Sequence, residues 1–180
     1  KPDNIGTFME EWLALYKSGS GERGIFNRQA SKTVAGRNKR RDDNFEFGTN
    51  PCSEIILRPF QFCNLSEVVV RANDSDEALL DKVEAATILG TMQATLTSFK
   101  YLRRQWKDTT EKERLLGVSL TGIMDHQILA GDIHNITRLT ELLKEMKQKA
   151  VEVNKTWAKR FGINQATAIT CVKPSGTVSQ

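Results

Sequence analysis

Cysteine is scarce in this chain. Three thiols in 180 residues, none in a Cys-x2-Cys pair, cannot close a disulfide framework and do not have the paired short spacing of a structural zinc cage. They point to a reducing, cytoplasmic setting. No apolar run approaches the ~18 residues that a membrane span needs, and no signal-peptide pattern is visible, so a membrane is not an expected partner. Aromatic residues make up only 7% and do not interleave with the basic cluster Arg37, Lys39, Arg40 and Arg41. That speaks against a nucleic-acid-binding module, and the cluster reads as a solvated loop.

What remains is a soluble globular composition, 39% hydrophobic and 27% charged, on a scale that suits one domain. The net charge of +4 fits a small anionic ligand as well as it fits nucleic acid. The spacing of Phe8, Trp12, Leu15 and Tyr16 predicts a short helix over residues 8–17, ended by Ser18-Gly19-Ser20-Gly21. Residues 24–26 read as a strand and 29–44 as a polar loop. Asp74 or Ser75 can cap a long helix running to about Trp106, in which Gly90 suggests close packing against a neighbour. Thr110 and Glu113 have the spacing of a capping box opening a further helix. Leu139, Leu142, Leu143, Met146, Ala150, Val153, Trp157 and Phe161 mark the clearest amphipathic helix, with Gly162 as its stop. Residues 166–172 then read as a buried parallel strand. The glycine-flanked stretch 117–122 reads as packing. Together these predict a helix-rich α/β fold.

Two stretches carry chemistry. In Asn50-Pro51-Cys52-Ser53-Glu54-Ile55 a thiol stands two residues from a carboxylate, with proline excluding helix just before it. On an extended segment that spacing puts Cys52 and Glu54 on one side, facing a common ligand. The plainer reading is a buried cysteine beside a surface glutamate. The second stretch is Pro174-Ser175-Gly176-Thr177-Val178, where converging backbone N–H groups, a glycine and two hydroxyls suit phosphate oxygens, and which would otherwise be an ordinary turn. It follows the expected strand, and ligands gather at the carboxyl ends of such strands.

The string NPCSEIILRPFQFCNLSEVVV resembles the catalytic chain of ribonucleotide reductases, most closely the adenosylcobalamin-dependent class II. The Cys52 to Cys63 separation suits that class. Gly21-Glu22-Arg23-Gly24-Ile25-Phe26-Asn27-Arg28 and Lys173-Pro174-Ser175-Gly176-Thr177-Val178-Ser179-Gln180 extend the resemblance across nearly the whole chain. It implies part of a ten-stranded α/β barrel, residues 1–180 forming one segment of it, with a central radical loop at about 48–66 and a phosphate-binding turn at 174–179. It implies further that Cys52 carries a thiyl radical in a site closed to water, Glu54 is the general base, Asn50 orients the ribose, and Cys63 is one of two reducing thiols. Ser175, Gly176, Thr177 and Val178 would hold the phosphates of a ribonucleoside di- or triphosphate. The implied cofactor is adenosylcobalamin, with an external dithiol or thioredoxin-like reductant, and homo-oligomers are compatible with the family. The family's partner thiol to Cys63 and its carboxyl-terminal cysteine pair have no counterpart here, and Cys171 reads as a packing residue.

Lys1 and Gln180 lead us to expect a split subunit or a fragment that acts only with further reductase polypeptide, an inactive excised fragment being the rival. From other classes there remain a zinc module on Cys52, Cys63 and Cys171 with His126 or His134, and a nucleic-acid module on the Arg37 to Arg41 cluster.

Overall fold

The computed structural model describes residues 4–20, 24–131 and 133–173. Its centre is a parallel sheet. Strand β3 (Asn64–Val69) pairs in register with β4 (Leu116–Thr121), Asn64 opposite Leu116 and Val69 opposite Thr121. On the other edge of β4, residues 168–171 run parallel as a third, irregular strand. Leu116 N–H donates to Ala168 O, Val118 N–H to Ile169 O, and Cys171 N–H to Val118 O. Of the buried strand expected over 166–172 only a single parallel bridge at Thr170 with its flanking hydrogen bonds forms, and Thr170 and Val172 are exposed.

Successive residues of a strand face opposite ways, so this register divides the sheet's chemistry. One face carries Val68, Leu116 and Val118, which pack on helices α3 (Asp76–Gln93) and α5 (Ile136–Phe161) in a core with Leu79, Val83, Leu142, Met146 and Ala150. Leu79 and Leu142 are wholly buried, each contributing on the order of 2 kcal/mol. Helix α5 forms where the periodicity predicts and stops at Gly162, whose left-handed backbone lets its N–H reach back to Lys159 O. Ser75 caps α3, its hydroxyl accepting from Ala78 N–H, with Asp76 and Glu77 in the first turn where the helix dipole favours carboxylates. A Cβ on Gly90 would stand 3.5 Å from Leu116 Cδ2, which confirms the expected close packing. Asn154 locks the two helices to the segment leading into residues 168–171, donating to Thr91 Oγ1 and accepting from Ala166 N–H.

Four expectations are corrected. Residues 24–26 form no strand; they lead into Asn27, which caps helix α2 (Arg28–Gly36), so the first half of the loop expected over 29–44 is helical. The helix expected to reach Trp106 stops at Gln93. Thr95 turns its hydroxyl back onto Met92 O and Arg114 donates to Ala94 O, capping the end. A separate helix α4 (Arg104–Glu113) follows, so Thr110 and Glu113 close a helix instead of opening one. Helix α1 (Ile5–Ser18) forms as expected with Asn4 as its cap, but buries none of its residues. No described helix is long and apolar enough to cross a membrane.

Candidate functional site

Residues 50–55 connect two short antiparallel strands, β1 (Gly48–Thr49) and β2 (Ile56–Leu57). Asn50 organises the connection. Its Oδ1 accepts from Ile55 N–H at 3.1 Å, its carbonyl accepts from Ser53 N–H at 3.0 Å, and its own N–H points to Ile55 O. The side-chain oxygen of Asn50 is thus committed to the turn. Ser53 takes φ +64°, so the segment is a tight turn, not the extended strand on which the shared side of Cys52 and Glu54 was argued. Cys52 stands exposed on that turn, whereas an enclosed position was expected for it. Ile55 is buried and anchors the turn.

The anchor lies on the sheet face away from the helices. By register that face carries Leu65, Glu67, Gly117, Ser119 and Cys171, and Cys63, one residue before β3, shares their parity. Gly117 is needed here: a Cβ would overlap Leu65 Cδ2 and lie 3.1 Å from Cys171 Sγ and 3.2 Å from Ile55 Cδ1. The packing role expected for that stretch is thus specific, bringing the Cys52 turn down onto β4.

Glu54 points inward. Its Oε2 is sealed from solvent with no hydrogen-bond partner among the described residues, and Glu67 Oε1 on the same face is in the same condition. Burial first, and the Glu54 carboxylate second, hold the Cys63 thiol above the usual thiol range. The same two causes, in the same order, push Cys171 up to about 11. Both thiols are therefore protonated at neutral pH. The turn thus brings Glu54 into the surroundings of Cys63 and Cys171, while Cys52 is exposed.

Cys63 and Cys171 do not make a disulfide-ready pair. Two strand spacings of roughly 4.8 Å separate them laterally, and the register offsets them by about four residues along the strands. That exceeds the ~7 Å limit on Cα separation for a disulfide.

The sequence missed a second cluster. Arg41, expected in a solvated loop, is buried. Its Nε and Nη2 donate to Glu113, Nη1 donates to Ile56 O at 2.7 Å, and Nη2 also reaches Gln61 Oε1. Gln61 Nε2 donates to Glu113 Oε2 at 2.6 Å, and Gln61 Oε1 accepts from Arg58 N–H. The only local signal was that Arg41 precedes the aromatic pair Phe45 and Phe47. Its guanidinium lies over the Phe47 ring, and that of Arg58 over Phe45.

Ser175, Gly176, Thr177 and Val178 lie outside the described residues, as does the 21–23 part of the first matched motif. Among the described residues no three His, Cys, Asp or Glu side chains stand close enough to hold a metal ion. His126, one candidate ligand of the zinc reading, is occupied by Asp74 O and the N–H groups of Ile128 and Leu129.

No family model matches the chain. It is 28% identical over 186 residues to the adenosylcobalamin-dependent ribonucleoside-triphosphate reductase of Lactobacillus acidophilus, covering 89% of this chain and 25% of that protein. The protein of the same name from Lacticaseibacillus paracasei is also 28% identical, covering 93% and 25%. The crystal structure of a B12-dependent (class II) ribonucleotide reductase superposes with a TM-score of 0.59 at 25% identity, over 73% of this chain and 21% of that one. The chain spans about a quarter of the length of the curated relatives it matches.

Proposed function

We propose that this chain forms part of the catalytic barrel of an adenosylcobalamin-dependent ribonucleotide reductase, contributing the radical loop and one reducing thiol. Its relatives bear that enzyme's name, and its α/β fold superposes on part of a class II structure. The observation that carries the reading is Glu54 Oε2, a carboxylate oxygen sealed from water and without a partner among the described residues, beside Cys63 on the turn that presents Cys52. A buried acceptor in that state calls for a hydroxyl donor from a ligand.

Adenosylcobalamin, when bound, would supply the initiating radical. An exposed sulfur on a rigid turn fits an encounter with so large a group. In this reading Cys52, as a thiyl radical, takes the hydrogen from C3′ of the ribose, and Glu54 takes the proton of the 3′ hydroxyl. Asn50 Nδ2 donates to the sugar. The 2′ hydroxyl leaves as water on a proton from the pair formed by Cys63 and a second thiol, the pair gives two electrons and its other proton to C2′ as it closes a disulfide, Glu54 returns its proton to the 3′ oxygen, and Cys52 returns its hydrogen to C3′. The register separates Cys171 from Cys63, which supports a second thiol outside residues 1–180. Other reductase polypeptide would cover Cys52 and the open sheet face, keep water out and complete the ten strands. Residues 174–179 would bind the substrate's phosphates, and an external dithiol would reduce the disulfide.

The test is deoxynucleotide formation by the complete enzyme supplied with adenosylcobalamin, a ribonucleotide and a dithiol. Cys52→Ser should abolish product while nucleotide affinity stays within about twofold of wild type. Retained turnover would remove the radical site from Cys52.

A further inference from the structure

We infer that Arg41, Gln61 and Glu113 are positioning residues that set where the Cys52 turn stands relative to Cys63. The inference rests on the reductase reading of those two thiols. The cluster holds the hairpin at both roots. Arg41 lies over Phe47, the residue before β1, and donates to Ile56 O in β2. Gln61, two residues before Cys63, accepts from Arg58 N–H just after β2. Both converge on Glu113 at the end of α4, which is only 3% exposed, as is the Arg41 side chain. Glu113 is followed by Arg114 and Leu115, and Leu115 O accepts from Asn64 N–H at the start of β3. One carboxylate thereby ties the turn that carries Cys52, the lead-in to Cys63 and the entry to β4.

No atom of the cluster lies on the turn that carries the proposed chemistry, so it acts through geometry alone. Both thiols must meet the same sugar, Cys52 taking hydrogen and Cys63 giving electrons. A misplacement of about 1 Å can cost a hundredfold in such a reaction. Arginine is required because its fork serves Glu113, Gln61 and Ile56 O at once, which a lysine cannot do. Phe62, packed between Trp106 and Phe99 at centroid distances of 4.6 and 5.1 Å, holds the same segment from the other side.

The test uses the complete enzyme with Arg41→Lys, which keeps the charge, and Gln61→Met, a milder change that keeps the volume if the arginine variant does not fold. In each, deoxynucleotide formed per 3′ hydrogen abstracted should fall at least about tenfold, with KM for the nucleotide within about twofold. Without cofactor or substrate, alkylation of Cys63 in the folded protein should accelerate at least about fivefold, because the turn no longer lies firmly over it. Wild-type values for either readout in both variants would overturn the inference. Product formed by the Cys52→Ser control would instead overturn the reductase reading beneath it, through a residue outside the cluster.

Discussion

At the scale of single residues, the thiols are distinguished by what surrounds them. Cys52 is exposed, while Cys63 and Cys171 share burial and the field of Glu54. For Cys171 the consequence can be measured. Its folded value of about 11 lies above the ordinary thiol value of 9.0, so the folded protein holds a proton that the unfolded chain releases. Stability from this source is complete below about pH 9 and is lost as pH rises toward 11. We expect the alkaline loss of stability between those limits to be smaller in Cys171→Ala than in wild type, by denaturation at matched pH. Equal losses would mean that the thiol is not held between the turn and β4. The sequence singled out Cys52, Glu54 and Cys63 because their types and spacing are local. Arg41 was not legible, since its partner Glu113 lies 72 positions away and a run of basic residues averages a buried arginine with exposed ones. The inward direction of Glu54 was likewise hidden, because it follows from the positive φ of Ser53.

At the scale of elements, Gly117 decides how closely the turn approaches the sheet. Leu65, Cys171 and Ile55 all occupy the space a side chain would need. Gly117→Ala should destabilise by about 1–3 kcal/mol, as overpacking of a filled core does, and should raise the exposure of Ile55. Denaturant unfolding checks the first effect and proteolysis within 50–55 the second. A change under about 0.5 kcal/mol with no new cleavage would show that the contact is soft. Elements with a long apolar period were legible: α5 appeared at the expected place because Leu142, Met146 and Ala150 recur on one face. Helix α2 was not, since Arg28–Gly36 is polar and buries only Ser31 and Ala35. The break between α3 and α4 depends on Arg114 capping Ala94 O from the following segment, which no local period reports.

At the scale of the molecule, one sheet separates two environments. The face with Val68, Leu116 and Val118 is closed by α3 and α5. The opposite face holds the carboxylates, two thiols and the turn, with Cys52 exposed on it. Helix α1 exposes Phe8, Trp12 and Tyr16. The α/β class was legible from the order of periodic segments, whereas the parallel pairing of β3 with β4 was not, because it joins strands some fifty residues apart. The most direct measurement is transfer of label from a 3′-tritiated ribonucleotide to solvent by the complete enzyme with adenosylcobalamin. Cys63→Ser should still release tritium while forming no deoxynucleotide, and Cys52→Ser should release none. Tritium released by Cys52→Ser at the rate seen in Cys63→Ser would contradict the assignment of hydrogen abstraction to this sulfur.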